Sequence, residues 1–339
     1  MSAERRVVIR TDAGADIGLG HLRRCLALAR AFRAMGIETR FLVHAPDGGV
    51  PDTGFDTRLL AGARDLVETL AAARAKGVLA VVVDSYTVDT AYFRMLAEAG
   101  CRVVAIDDPA DRELPVHVVV NPSATADRPR YRGAGHTRYL LGPRYAMLQP
   151  EFAAGVGPRA SEHVRRVLLT LGGGDPGRLT ARLISIIAAV VDAIPVDVVV
   201  GPWFAGDAAL RALAAGSAGA IVLHDRPTDM RALMLAADVA VSGGGQTTFE
   251  LAATGTPTVA IRLADNQTYT LKTLAEAGAL VHVGDVDDPS LDAALASALD
   301  TLVKDGERRA EMSRRARAAV DGRGAARVAE AIVALEAAA

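Results

Sequence analysis

The sequence predicts an α/β protein made of two Rossmann-like domains that face a central cleft. Apolar runs of strand length alternate with segments whose apolar residues recur at helical spacing, the pattern of βαβ units on a parallel sheet. The alternation lapses over residues 143–161 into Pro, Gly and mixed polar residues and then restarts, which marks a linker. Each series opens on a strand that runs into a glycine-rich turn, at residues 12–20 and again at 172–177.

In the first series, strands are expected at 7–11, 39–43, 79–84, 102–106, 116–120 and 139–141, each a short Val-, Ile- or Leu-rich run. Helices are expected at 19–35, 63–76 and 89–99. The second series places strands at 166–171, 196–200, 220–223, 239–242, 258–261 and 280–283. Its helices fall at 179–193, 208–215, 230–236, 247–253 and 268–277, and the chain closes with helices near 290–304, 307–319 and 325–335. The expected domains are 1–155 and 156–339. The last helix is expected to return to the first domain.

Composition excludes several classes. The 339 residues are half apolar but only 4% aromatic, and the net charge is −2, so no basic field calls for nucleic acid or an anionic membrane. Cys25 and Cys101 form no CxxC or zinc-like spacing, so neither a disulfide framework nor a metal site is expected. The longest apolar helical patch, residues 183–191, is too short to span a bilayer. No signal peptide is visible before the first strand. A cytoplasmic protein without membrane insertion, cofactor or metal is the expectation, with its oligomeric state open.

Chemistry concentrates at the turns. Ile17-Gly18-Leu19-Gly20-His21 delivers a histidine to the start of a helix at the carboxyl edge of a sheet, where open α/β folds hold their ligands. With an unperturbed pKa of about 6.5, a histidine there can exchange a proton near neutrality; the alternative is a tight turn with a capping role. Glycines such as Gly18 and Gly20 let a ligand approach the backbone. Arg23 stands where a dinucleotide fingerprint would need its third glycine, which disfavours that motif. Asp12 is close enough to orient an imidazole or to cap the helix.

In the second domain, Ser242 is followed by Gly243, Gly244 and Gly245, then by Gln246, Thr247 and Thr248 at a helix start. This is a donor-rich nest suited to a diphosphate. Glu250, one turn further on, could accept both hydroxyls of a ribose. Asn266 and Gln267 follow the next strand and either cap a helix or reach the cleft. Gly173 and Gly174, before Asp175 and Pro176, either cover the cleft or form a plain strand-to-helix turn. Asp84, Asp107 and Asp108 end strands on the same edge as His21. Paired carboxylates there can do acid–base work or cap helices.

Together these motifs resemble a known family. The series Ile17-Gly18-x-Gly20-His21-x-x-Arg24, Asp84-x-Tyr86, Asp107-Asp108, Asn121, the Tyr145-to-Phe152 run, Gly172-Gly173-Gly174-Asp175, Ser242 to Glu250 and Asn266-Gln267 looks like the UDP-2,4-diacetamido-2,4,6-trideoxy-β-L-altropyranose hydrolases of pseudaminic acid biosynthesis. The likeness spans nearly the whole chain in motif order. The His21 and Glu250 motifs are shared more loosely with GT-B glycosyltransferases such as the lipid II N-acetylglucosaminyltransferase. The resemblance implies a GT-B-like fold and metal-independent cleavage of the sugar C1–O bond of a UDP-sugar, giving free sugar and UDP. His21 would be the general base for water, with Asn266 and Tyr86 positioning water and sugar. Glu250 would hold ribose, with Gly244, Gly245, Gln246 and Thr247 around the diphosphate. Asp12, Gly18, Gly20, Arg24, Gly173, Gly174 and Gln267 complete the candidate binding set.

The chain departs from that family twice. Its first turn reads Thr11-Asp12-Ala13-Gly14-Ala15 where members often carry serines, and its Gly-Gly-Gly-Gln segment is nearer to glycosyltransferases. The alternative is therefore a GT-B glycosyltransferase that passes the sugar of a UDP-sugar donor to an acceptor. A non-catalytic nucleotide-sugar binding protein is the third reading.

Overall fold

A computed structural model describes residues 5–14, 19–46, 50–124, 131, 136–155, 157, 162–174, 179–191, 193–204 and 207–337. The chain divides into two compact units, one of Met1–Ala153 with Gly322–Ala339 and the other of Ala154–Asp321.

The first unit is a parallel sheet of β1 (Arg6–Asp12), β2 (Glu38–His44), β3 (Asp56–Leu59), β4 (Val78–Asp84), β5 (Val103–Ile106), β6 (Val118–Asn121) and β7 (Arg138–Leu141), in the order β3-β2-β1-β4-β5-β6-β7. The order reverses between β1 and β4, so the carboxyl ends of those two strands flank the switch point where open sheets place ligands. Val7, Ile9 and Val82 pack on one face with Leu22, Leu28 and Phe32 of α1 (Gly20–Ala34) and Val328 and Ile332 of α11 (Gly324–Ala337). Val8, Val81, Val83 and Val103 fill the other with Phe93 and Leu96 of α3 (Thr90–Glu98). Burial on both faces explains why these strands read as continuous apolar runs. α2 (Asp65–Ala73) lies between β3 and β4 in the chain.

The strand β3 was not among the sequence expectations. All four of its residues, Asp-Thr-Arg-Leu, are exposed at the sheet edge, so no apolar pattern announces it. The chain re-enters this unit through Gly322 and Gly324. A Cβ at Gly322 would collide with the Phe152 carbonyl, and one at Gly324 with that of Ala146. The Tyr145-to-Phe152 run thus forms the seat that receives α11.

The second unit orders its strands β10-β9-β8-β11-β12-β13, again all parallel. They are β8 (Val167–Thr170), β9 (Val196–Val200), β10 (Ile221–Asp225), β11 (Val239–Gly243), β12 (Thr258–Arg262) and β13 (Val281–Asp285). The reversal here lies between β8 and β11. Helices α4 (Leu179–Val191) and α9 (Leu291–Lys304) cover one face through Leu183, Ile187, Leu295 and Leu299. The others are α5 (Asp207–Gly216), α6 (Met230–Ala236), α7 (Gln246–Thr254), α8 (Thr268–Glu276) and α10 (Gly306–Ala319). Among the described residues no helix is long and apolar enough to cross a membrane.

Candidate active site

In the first unit, β1 ends beside β4, and α1 starts after the turn that β1 feeds. That geometry carries His21, the second residue of α1, onto Asp84, the last residue of β4. His21 Nδ1 lies 2.6 Å from Asp84 Oδ1. An ionised carboxylate only accepts, so Nδ1 is the donor in this pair and Nε2 is the ring nitrogen that Asp84 leaves unengaged. The imidazole is 5% exposed and Asp84 fully buried.

Arg24, one helical turn after His21, grips the same carboxylate with both arms. Its Nε lies 2.7 Å from Asp84 Oδ2 and one terminal nitrogen 2.6 Å from Oδ1. The other terminal nitrogen reaches Asp108 at 2.7 Å. Burial works against ionising Asp84, but Arg24 and His21 outweigh it and hold the carboxyl well below the usual range. Burial likewise opposes the Arg24 charge, and Asp108 and Asp84 more than restore it. Arg24 is thus consumed inside the protein by two carboxylates. Expected in the binding set, Arg24 is buried here, its guanidinium paired with both Asp84 and Asp108.

Tyr86 stands edge-on to His21, ring centroids 4.4 Å apart, and donates its phenol to Asp108. Burial and the Asp108 carboxylate push that phenol far above its ordinary range, so it holds its proton at neutrality. Tyr86 walls the imidazole and remains more than one-third exposed, which leaves part of the ring open to a ligand. Cys25 donates weakly to Asp84, and burial followed by that carboxylate pushes its thiol well up, so it is an inert neighbour.

Asp12 is fully buried between Arg10 and the Ser85 hydroxyl, the latter at 2.5 Å. Arg10 turns its other nitrogens to Asp65. Expected in the binding set, Asp12 serves here as an internal counter-ion to Arg10. Asp107 takes the Tyr131 phenol at 2.7 Å, and burial pushes its carboxyl up in spite of that bond and Arg112. Asn121 bonds the Tyr131 hydroxyl and the Asp108 carbonyl. Gly20 has open space where a Cβ would be, whereas Gly18 lies outside the described residues.

In the second unit the nest forms at the end of β11. Gly245 is the N-cap of α7 and makes no side-chain cap, and the Thr248 N–H turns back to the Gly245 carbonyl at 3.0 Å. The three glycines are not equivalent. A Cβ on Gly243 would press into Leu263 and one on Gly244 into Leu271, so these two serve close packing. Only Gly245 has room on its outer side. Gln267 folds inward: its Oε1 accepts from Gly244 N at 3.1 Å and Leu263 N at 2.9 Å, tying the β11 turn to the end of β12. Through Oε1 it braces the nest. Gln246 and Thr247 begin α7 half-buried, Glu250 is 7% exposed one turn in, and Asn266 is exposed beside Gln267.

Gly173 and Gly174 follow β8, yet their partner is Trp203. The Trp203 N–H donates to the Gly173 carbonyl at 2.9 Å, Gly174 and Trp203 form a parallel bridge, and the indole lies against Gly173. Of these two glycines, each expected either to cover the cleft or to form a plain turn, Gly173 seats an aromatic ring and Gly174 pairs with the backbone that carries it. Sequence reasoning missed Trp203; its being the sole tryptophan, just past a strand end, was the available signal. Asp175 and Pro176 lie outside the described residues.

Comparison with known proteins follows this division. Residues 223–331 match the glycosyltransferase family 28 C-terminal domain. Over 271 residues the chain is 22% identical to the uncharacterized protein MJ1062 of Methanocaldococcus jannaschii, covering 76% of this chain and 55% of that protein. The chain thus spans about half the length of this relative. Against the spore coat polysaccharide biosynthesis protein SpsG of Bacillus subtilis the identity is 26% over 239 residues, 69% of this chain and 70% of that one. Among solved structures, Acinetobacter baumannii MurG superposes with a TM-score of 0.67 at 18% identity, over 97% of this chain and 99% of that one. The fold is GT-B, and within it a segment of the second unit, residues 223–331, is similar to the glycosyltransferase family 28 C-terminal domain.

Proposed function

We propose that this protein transfers the sugar of a nucleoside-diphosphate sugar to an oxygen nucleophile, with His21 as the general base. The single observation that carries the proposal is the His21–Asp84 pair, in which the carboxylate engages Nδ1 and leaves Nε2 for a substrate proton. The family 28 match supports a donor held by the second domain, its diphosphate at the uncapped start of α7 beside Gly245, Gln246 and Thr247, its ribose at Glu250. In the step itself, Nε2 takes the nucleophile's proton while its oxygen bonds to the sugar C1. The bond from C1 to the phosphate oxygen breaks, and its electron pair leaves on the nucleoside diphosphate. Helix N–H groups stabilise that leaving charge. Asp84 orients the ring and stabilises the imidazolium formed; Arg24 and Asp108 hold Asp84 in place.

The family 28 match favours a sugar or alcohol acceptor over water. The hydrolase reading, with a UDP-linked diacetamido-trideoxy sugar as donor, changes only the nucleophile. It draws support from the motif order through the first domain, from His21 to Asn121, with Asn266 and Tyr86 then positioning water and sugar. Both are tested by incubating UDP-sugars with and without alcohol acceptors, in chelator, and following UDP and sugar by NMR. UDP release that depends on acceptor supports transfer. Release of UDP and free sugar without acceptor supports hydrolysis. No turnover with any donor, alongside tight UDP binding, would favour a binding protein.

A further inference from the structure

Trp203 sits where the proposed donor site would need a platform, and two glycines, Gly173 and Gly201, make room for it. β9 ends at Val200, and Gly201 follows. A Cβ on Gly201 would collide with the carbonyls of Gly172 and Gly173. The close approach lets the β8–β9 pairing continue past the ends of both strands, through the Trp203 N–H bond to Gly173 and the bridge to Gly174. A Cβ on Gly173 would lie 3.0 Å from the indole, so that position must be bare for the ring to lie on the backbone. The ring stays half-buried, and no other ring or cation of the described residues stacks on it.

The placement is specific. Trp203 stands at the carboxyl edge of the sheet, one strand beyond the β8–β11 switch point. β9 and β11 are separated by β8 alone, so their ends are roughly 10 Å apart. That is about the reach of a nucleoside whose diphosphate rests on the start of α7. A large aromatic face on a rigid backbone seat, at that distance from an anion site, suits a flat heterocycle. Trp203 also precedes the segment matched by family 28, so that match does not account for it.

We infer that Trp203 is the stacking platform for the base of the nucleoside-diphosphate donor, and that Gly173 and Gly201 leave the room that seats it. The inference rests on the donor-site reading above. Because the chain has one tryptophan, its fluorescence reports this ring alone. The test titrates the full-length protein with UDP and with inorganic pyrophosphate, reading emission and, separately, heat. UDP is expected to change the emission. Pyrophosphate is expected to compete with UDP while leaving the emission unaltered. Base–aromatic stacking of ordinary strength makes Trp203→Leu weaken UDP binding by about tenfold or more. Trp203→Phe keeps most of the affinity, which separates lost stacking from a collapsed loop. UDP binding by heat with silent emission and unchanged affinity in Trp203→Leu overturns the inference and spares the donor site. An equal emission change with pyrophosphate also overturns it. Absence of UDP binding to the unaltered protein overturns the donor site and the inference together.

Discussion

The protein builds one three-residue assembly twice. In the first domain Asp84 holds His21 at 2.6 Å and Arg24 at 2.6 and 2.7 Å. In the second, Asp197 holds His224 at 2.7 Å and Arg166 at 2.7 and 2.9 Å. The residue types and distances match; the surroundings do not. Asp84 closes β4 at the carboxyl edge, whereas Asp197 is the second residue of β9 and lies at the amino edge. His21 is bound through Nδ1 and His224 through Nε2. The Arg24 side chain is 9% exposed and that of Arg166 is 40% exposed. A histidine–aspartate–arginine cluster is therefore no signature of chemistry by itself. Position on the sheet and the nitrogen left free decide whether it can serve a ligand.

Substitutions can break this contrast in order of effect. His21→Ala is expected to lower turnover by roughly 10²–10⁴-fold, the usual worth of a general base, measured by UDP release from a competent donor. His224→Ala should leave that rate within about twofold. Asp84→Asn comes next, because an amide can donate to Nδ1 and favour the wrong tautomer. A loss of turnover with retained UDP affinity is expected, and Asp197→Asn should not produce it.

Stability separates the clusters in the same direction. Arg24→Met strands Asp84 and Asp108 in the interior and should cost about 3–5 kcal/mol in denaturant unfolding. Arg166→Met removes a cation that is 40% exposed and leaves the buried Asp197 its His224 partner, so a smaller cost of about 1–3 kcal/mol is expected. The acid limb sharpens the comparison further. Asp84 has a depressed carboxyl, so its stabilisation is present above the unfolded value of about 3.9 and drains as pH falls below it toward the folded value. Unfolding free energy should therefore drop below about pH 4, and Asp84→Asn should flatten that drop.

Most of the fold was legible. Strand and helix positions follow from apolar runs and helical spacing, and β3 escaped only because an exposed edge strand carries no such pattern. His21 and the strand-end acids stood out at their turns. Their partnership did not, because Arg24 meets Asp84 and Asp108 across 60 and 84 residues. No local motif could say that Arg24 and Asp12 are spent on internal carboxylates and cations. Gly173 and Gly174 read like phosphate-loop glycines, and only the course of β9 reveals that they carry Trp203. Glycine marks a close approach without naming what approaches.

One measurement bears most directly on His21: turnover and UDP affinity of His21→Ala in the same preparation, beside the unaltered protein. A base role predicts turnover reduced by roughly 10²–10⁴-fold with UDP affinity nearly unchanged. Preserved turnover, or loss of UDP binding together with activity, would contradict it.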